Sequence, residues 1–161
     1  MSVQIEGNIE ELLSALQRLS ALDRKRLNRV IAEALRESTI ERFQNEEDPE
    51  GTSWQPSLRA QGQNGSAGKT LAKSGRLKSS LSAHATDSGF AVGTNLIYAK
   101  IHQFGGVIAA KTRKGMLFKI GDRFVRVHSV RMPKRSYLGV SQEDRREVAM
   151  EIDEFMQEIV S

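Results

Sequence analysis

Apolar residues recur at helical spacing in two runs near the start of the chain. In residues 8–21, Ile9, Leu12, Leu13, Leu16 and Leu19 share one face, which predicts an amphipathic helix. Asn8 is placed to cap it, and Glu10 and Glu11 favour the positive end of its dipole. A second helix is predicted from about Asp23 to about Asn45, with a stripe of Leu27, Val30, Ile31, Ala34, Leu35 and Phe43 and with Ile40 near its edge. Asp48-Pro49 and Glu50-Gly51 stop it.

The pattern then lapses. Residues 50–76 are rich in Gly, Ser and Gln, with Trp54 as the one large anchor, and read as a long loop. Beyond it the period shortens. LKSSLSAHAT (77–86) and GFAVGTN (89–95) alternate loosely about an Asp87-Ser88-Gly89 turn. Leu96, Ile97, Ala99, Ile101 and Phe104 line one side of a short predicted helix that Gly105-Gly106 stops. MLFKIGDRFVRVHSV (116–130) is the clearest hairpin, about Gly121-Asp122; 107–115 is a basic loop or the start of that hairpin. RMPKRSYLG (131–139) is an extended connector, because Pro133 disfavours helix at Met132. A last helix starts at Ser141, with Asp144 three residues on as in a capping box, and buries Val148, Ile152, Phe155 and Ile159.

The whole predicts an α+β fold: an antiparallel sheet of about four strands packed against N-terminal helices and a C-terminal helix, with a long mobile loop. One domain covers 1–161, divided into a helical arm (1–49), the loop (50–76), a β-rich core (77–139) and the C-terminal helix (140–161).

Composition narrows the chemistry. The absence of cysteine excludes disulfides and thiolate metal sites. The acidic N-terminus is unlike a signal peptide, and no apolar run is long enough to span a bilayer, so no membrane partner is expected. Charge is unevenly spread. Residues 1–50 carry 7 basic and 11 acidic side chains, 51–135 carry 15 and 2, and 136–161 carry 2 and 7. A basic middle between acidic ends can face DNA phosphates, or the acidic segments of a neighbouring copy.

No catalytic grouping emerges. GQNGSAGKT (62–70) looks like a phosphate-binding loop, but the motif needs glycine where Gln63 stands, and no apolar strand leads into it. His84, His102 and His128 lack metal-ligand spacing, and His102 has no nearby acid in sequence to orient it as a base. The chain reads as a non-enzyme without cofactor or metal. Lys111, Arg113 and Lys114 form a basic loop tip, suited to DNA phosphate or to a subunit contact.

One stretch remains, IYAKIHQFGG (97–106), followed about thirty residues later by RMPKRSYLG. Together they resemble the phage virion morphogenesis family, which includes tail completion proteins of contractile-tailed phages and their Mu-like relatives. The first segment is carried by Tyr98, Ala99, Ile101, His102, Gln103, Phe104, Gly105 and Gly106. The second is carried by Pro133, Arg135, Tyr137, Leu138 and Gly139, with Lys134 in place of a small residue and Ser136 in place of a second proline. LAKSGRLKSSLS and GFAVGTNLIYA are also similar to the family, and the resemblance spans roughly residues 35–158. It implies a structural neck or tail protein that completes the tail or joins it to the head. The implied form is a ring, often six-fold, around the DNA channel. Its partners would be the tail tube or tail terminator and head-tail connector proteins, in a virion assembled in the host cytoplasm. The bottom-up alternative is a non-specific DNA-binding module using the basic middle. The motif itself reads as architecture: Tyr98, Ile101 and Phe104 pack the short helix, Gly105-Gly106 turn the chain, and His102 and Gln103 fix the turn or meet a neighbour.

Overall fold

The computed structural model describes residues 21–62, 68–120 and 122–161. The helix expected over 8–21 lies outside them except for its last residue, as does most of GQNGSAGKT.

Helix α1, Ala21–Asn45, is the spine. Its predicted stripe is buried at Ile31, Leu35 and Phe43 and half-buried at Leu27, Val30, Ala34 and Ile40. Past Asn45, Glu46 adopts φ 58° and ends the helix. The Asp48 carboxylate then accepts from the amides of Glu50 (3.0 Å) and Thr52 (2.8 Å), which closes a tight turn. The returning chain donates the Trp54 amide to the Glu46 carbonyl (2.6 Å) and lays the indole edge-on to Phe43, 5.4 Å between centroids. The described flanks of the long loop are tethered to the same helix end. Lys69 Nζ donates to the Gln44 carbonyl (2.5 Å), the Thr70 amide donates to the Glu46 carboxylate, and Thr70 is buried.

A single turn, α2 (Arg76–Ser79), buries Leu77 where the sequence predicts strand. Strands β1 (Ser82–Ala85) and β2 (Phe90–Gly93) follow, in antiparallel register from Ser82↔Gly93 to Ala85↔Phe90. This hairpin lies on α1, held by Asn28 Nδ2 to the Thr86 carbonyl and Arg36 Nε to the Leu81 carbonyl, both 2.9 Å. Next come α3 (Ala99–Phe104), β3 (Gly106–Ala109), β4 (Met116–Ile120), β5 (Arg123–Val127) and β6 (Ser129–Met132). β3 pairs with β6 and β4 with β5, so residues 106–132 form a ribbon doubled back on itself.

The fold is α+β, as the pattern predicts. Its strands form three two-stranded antiparallel ribbons among the described residues, not one four-stranded sheet. Each strand has only four or five residues and pairs with one neighbour, and no ladder joins β1–β2 to the 106–132 ribbon.

Helix α4, Gln142–Val160, packs along α1. Its capping box is complete: Ser141 Oγ accepts the Asp144 amide (2.9 Å), and the Asp144 carboxylate accepts the Ser141 amide (2.6 Å). Phe155 is buried and Val148 and Ile159 are half-buried, but Ile152 is exposed. The contact face runs through Asp144, Val148, Glu151 and Phe155, and Ile152 lies one residue round from it. Among the described residues no helix is long and apolar enough to cross a membrane.

Candidate functional site

The two sequence motifs meet in space. Phe43, Trp54, Leu77, Leu81, Ala99 and Tyr137 form the central core, with Ile40, Leu71, Leu96 and Leu138 packed against it. Tyr137 is 1% exposed, stacks obliquely on Phe43 at 5.3 Å and donates its hydroxyl to the Ala99 carbonyl (3.2 Å). Burial raises its phenol pKa.

Gln103 joins the motifs. Its side-chain oxygen accepts from the amides of Tyr137 and Leu138, both 3.0 Å, and its side-chain nitrogen donates to the Leu138 carbonyl at 2.8 Å. Around it, the Arg135 amide donates to the His102 carbonyl (2.8 Å) and Ser136 Oγ donates to the Gln103 carbonyl (3.2 Å). Residues 133–139 are thus held as though beside a strand, although the partner is one side chain and the end of a short helix. Gln103→Met keeps volume but leaves two amides and a carbonyl unpaired. It is expected to cost about 2–3 kcal/mol, read from the shift of the urea midpoint.

The rest of the second motif is equally engaged. Arg135 is buried, and its Nε donates to the Gln55 carbonyl (2.7 Å). Trp54 Nε1 donates to the Ser136 carbonyl (2.8 Å). Gly139 faces Pro49 so closely that a Cβ would sit 2.5 Å from Pro49 Cγ. Pro133 is half-buried where the ribbon ends.

The expected apolar face of the short helix needs correction. Ala99 is buried and Ile101 half-buried, but Tyr98 is exposed, Phe104 is 66% exposed and Ile97 is 97% exposed. A helix of six residues presents one narrow side to the core, and Ala99 and Gln103 occupy it. His102 is half-buried, edge-on to Tyr98 at 6.1 Å, and its Nδ1 is buried without a hydrogen-bond partner among the described residues. Burial first, and then the Arg135 charge, lowers its pKa, so it is neutral at pH 7. Among the described residues no carboxylate pairs with it.

A second polar centre was not legible in the sequence. Arg42, buried on α1, donates to the carbonyls of Tyr137 and Gly139, both 3.0 Å, and is ion-paired with the buried Asp144 carboxylate. Ser38 Oγ donates to the other Asp144 oxygen and accepts from Arg42 Nη2 (3.1 Å). Burial alone would raise the Asp144 pKa. The Ser38 hydroxyl, the Ser141 amide and Arg42 outweigh it and hold the carboxyl below the usual range. One guanidinium therefore ties α1, the second motif and the start of α4.

Gly105 and Gly106 lead straight into the ribbon. Lys111, Arg113 and Lys114 are exposed in the loop before β4, where the Lys114 carbonyl accepts from Arg126. Large apolar side chains on β4 and β5 are also exposed, Phe124 at 67% and Leu117 at 56%.

Neither the curated proteins nor the solved structures include a match to this chain. A family model does match, over residues 6–157, which takes in both motifs, Gln103 and the Arg42–Asp144 pair. The chain belongs to the phage virion morphogenesis family.

Proposed function

We propose that this protein is a structural part of a phage or phage-like particle that completes the tail or joins it to the head. Copies form a ring, six-fold in our reading, around the DNA channel, in contact with the tail tube or tail terminator and the head-tail connector. It works in the virion, after assembly in the host cytoplasm. The observation that carries this reading is the 106–132 ribbon, which exposes apolar side chains that no element among the described residues packs against extensively. The polar side chains Gln103 and Arg135 of the two motifs bind backbone groups, and this supports a non-enzymatic role.

Purified protein is expected to show a discrete ring-sized mass by light scattering, or to be captured at one end of purified tail tubes. A strict monomer that ignores tubes would overturn the reading. The basic middle supports a second reading, non-specific DNA binding through residues such as Lys111, Arg113 and Lys114. That reading predicts retention on duplex DNA that falls steeply with salt.

A further inference from the structure

The β4–β5 ribbon has two distinct sides. Residues in register share a side in an antiparallel pair. Met116/Val127, Phe118/Val125 and Ile120/Arg123 make a nearly all-apolar side. Leu117/Arg126 and Lys119/Phe124 make the other, two apolar groups between two cations. Phe118, Ile120, Val125, Leu117 and Phe124 are all exposed. A two-stranded hairpin alone is marginal in water, so the ribbon needs a cover.

A matching surface exists on the same molecule. A groove of about 450 Å³ between α1 and α4 has Ala34 and Met150 as apolar lining and Glu37, Glu41, Glu147, Glu151 and Glu154 around them. No lysine or arginine lines it, and none of these glutamates is ion-paired among the described residues. Met150 is 64% exposed. The groove runs on past Glu41 and Glu147 into a hollow of about 630 Å³ where Glu47, Asp48, Glu50 and Glu143 outnumber Arg145 and the Asp144-paired Arg42. The ribbon does not fill its own groove, since it packs extensively on neither α1 nor α4.

We propose that the ribbon of one copy lies in the α1–α4 groove of the next, with Leu117 and Phe124 on Ala34 and Met150 and with Lys119 and Arg126 among the glutamates. The inference rests on the assembly reading above and names the contact it needs. Ribbon and groove are different surfaces, so each copy offers one of each and the contact repeats head to tail, closing as a ring when the rotation allows. DNA is the weaker occupant, because phosphate would answer the cations and leave Leu117 and Phe124 on the same side uncovered.

The absence of cysteine gives a direct test. Full-length Leu117→Cys and full-length Met150→Cys, one carrying a mass tag, are mixed and oxidised, alone and with purified tails. A mixed disulfide is expected in roughly tenfold excess over same-variant pairs, and Glu147→Lys with Glu151→Lys on the Met150→Cys chain is expected to remove that excess. Mixed disulfides no more frequent than same-variant ones, in both conditions, overturn the proposal. If a ring-sized mass persists in that case, the assembly reading stands and only this contact falls. If the protein is also monomeric and ignores tails, both fall. Capture of the ribbon by duplex DNA, lost in Lys119→Glu with Arg126→Glu and without the mixed disulfide, likewise overturns it.

Discussion

Arg42→Met is expected to destabilise the fold by about 3–5 kcal/mol at neutral pH, the usual consequence of removing one partner of a buried ion pair. The physical reason is what stays behind. Asp144 would be a buried carboxylate with only the Ser38 and Ser141 groups to hold it, and the Tyr137 and Gly139 carbonyls would lose their donor. Thermal unfolding should show a fall in Tm of roughly 6–20 °C. The pH dependence identifies the cause. Because the folded pKa of Asp144 is depressed, the stability it contributes is present above its unfolded pKa and is lost as pH falls through its folded pKa. In the variant the carboxyl has lost its cation, so protonation relieves an uncompensated charge. The gap between wild type and variant should therefore narrow in acid. A gap that stays constant down to the acid limit would show that Arg42 acts through packing and its bonds to the Tyr137 and Gly139 carbonyls, not through the Asp144 charge.

Gly105→Ala is the other large effect, about 4 kcal/mol. Gly105 sits at φ 68°, ψ −172°, a conformation open in practice to glycine alone. A Cβ there would lie 2.8 Å from the Lys134 nitrogen and 3.0 Å from the Met132 oxygen. Both are backbone atoms of the returning chain and cannot swing aside. Strain of about 1–3 kcal/mol thus adds to overpacking of similar size. Gly51→Ala is the control: φ is +80° there too, but nothing lies within 4 Å of the added carbon, so only the strain remains. Valine at both Gly105 and Gly106 is expected to abolish folding or assembly, since the second Cβ would also press on Ile101 Cδ1 at 3.1 Å. Equal urea midpoints for Gly105→Ala and Gly51→Ala would sink the close-approach explanation.

The helices were legible because burial on one side leaves a periodic trace. Ile31, Leu35 and Phe43 on α1 and Val148 and Phe155 on α4 fall where that trace puts them. The cap was legible because Ser141 and Asp144 have the spacing that two reciprocal hydrogen bonds require. Arg42 was not, since a guanidinium paired with a residue 102 positions away looks in sequence like any other charge on a helix that carries both signs. Gln103 was legible only as part of a motif. A side chain that substitutes for a strand leaves no alternation behind it. The ribbon misled in the opposite sense. Alternation along 116–127 predicts one buried side, and among the described residues no element packs extensively against the ribbon.

The geometry at the foot of the ribbon has a mechanical consequence. The chain enters the ribbon at Gly106 and leaves it at Met132, which are in register with each other, and both lie within a few residues of the Gln103 clamp and the Arg135–His102 hydrogen bond. A pull on the ribbon is therefore delivered to both strands at one anchorage, and from there through Tyr137 into the aromatic core. The ribbon cannot peel away one strand at a time from the body. It transmits load as a lever on a single mount, and the Gln103 amide is the pin.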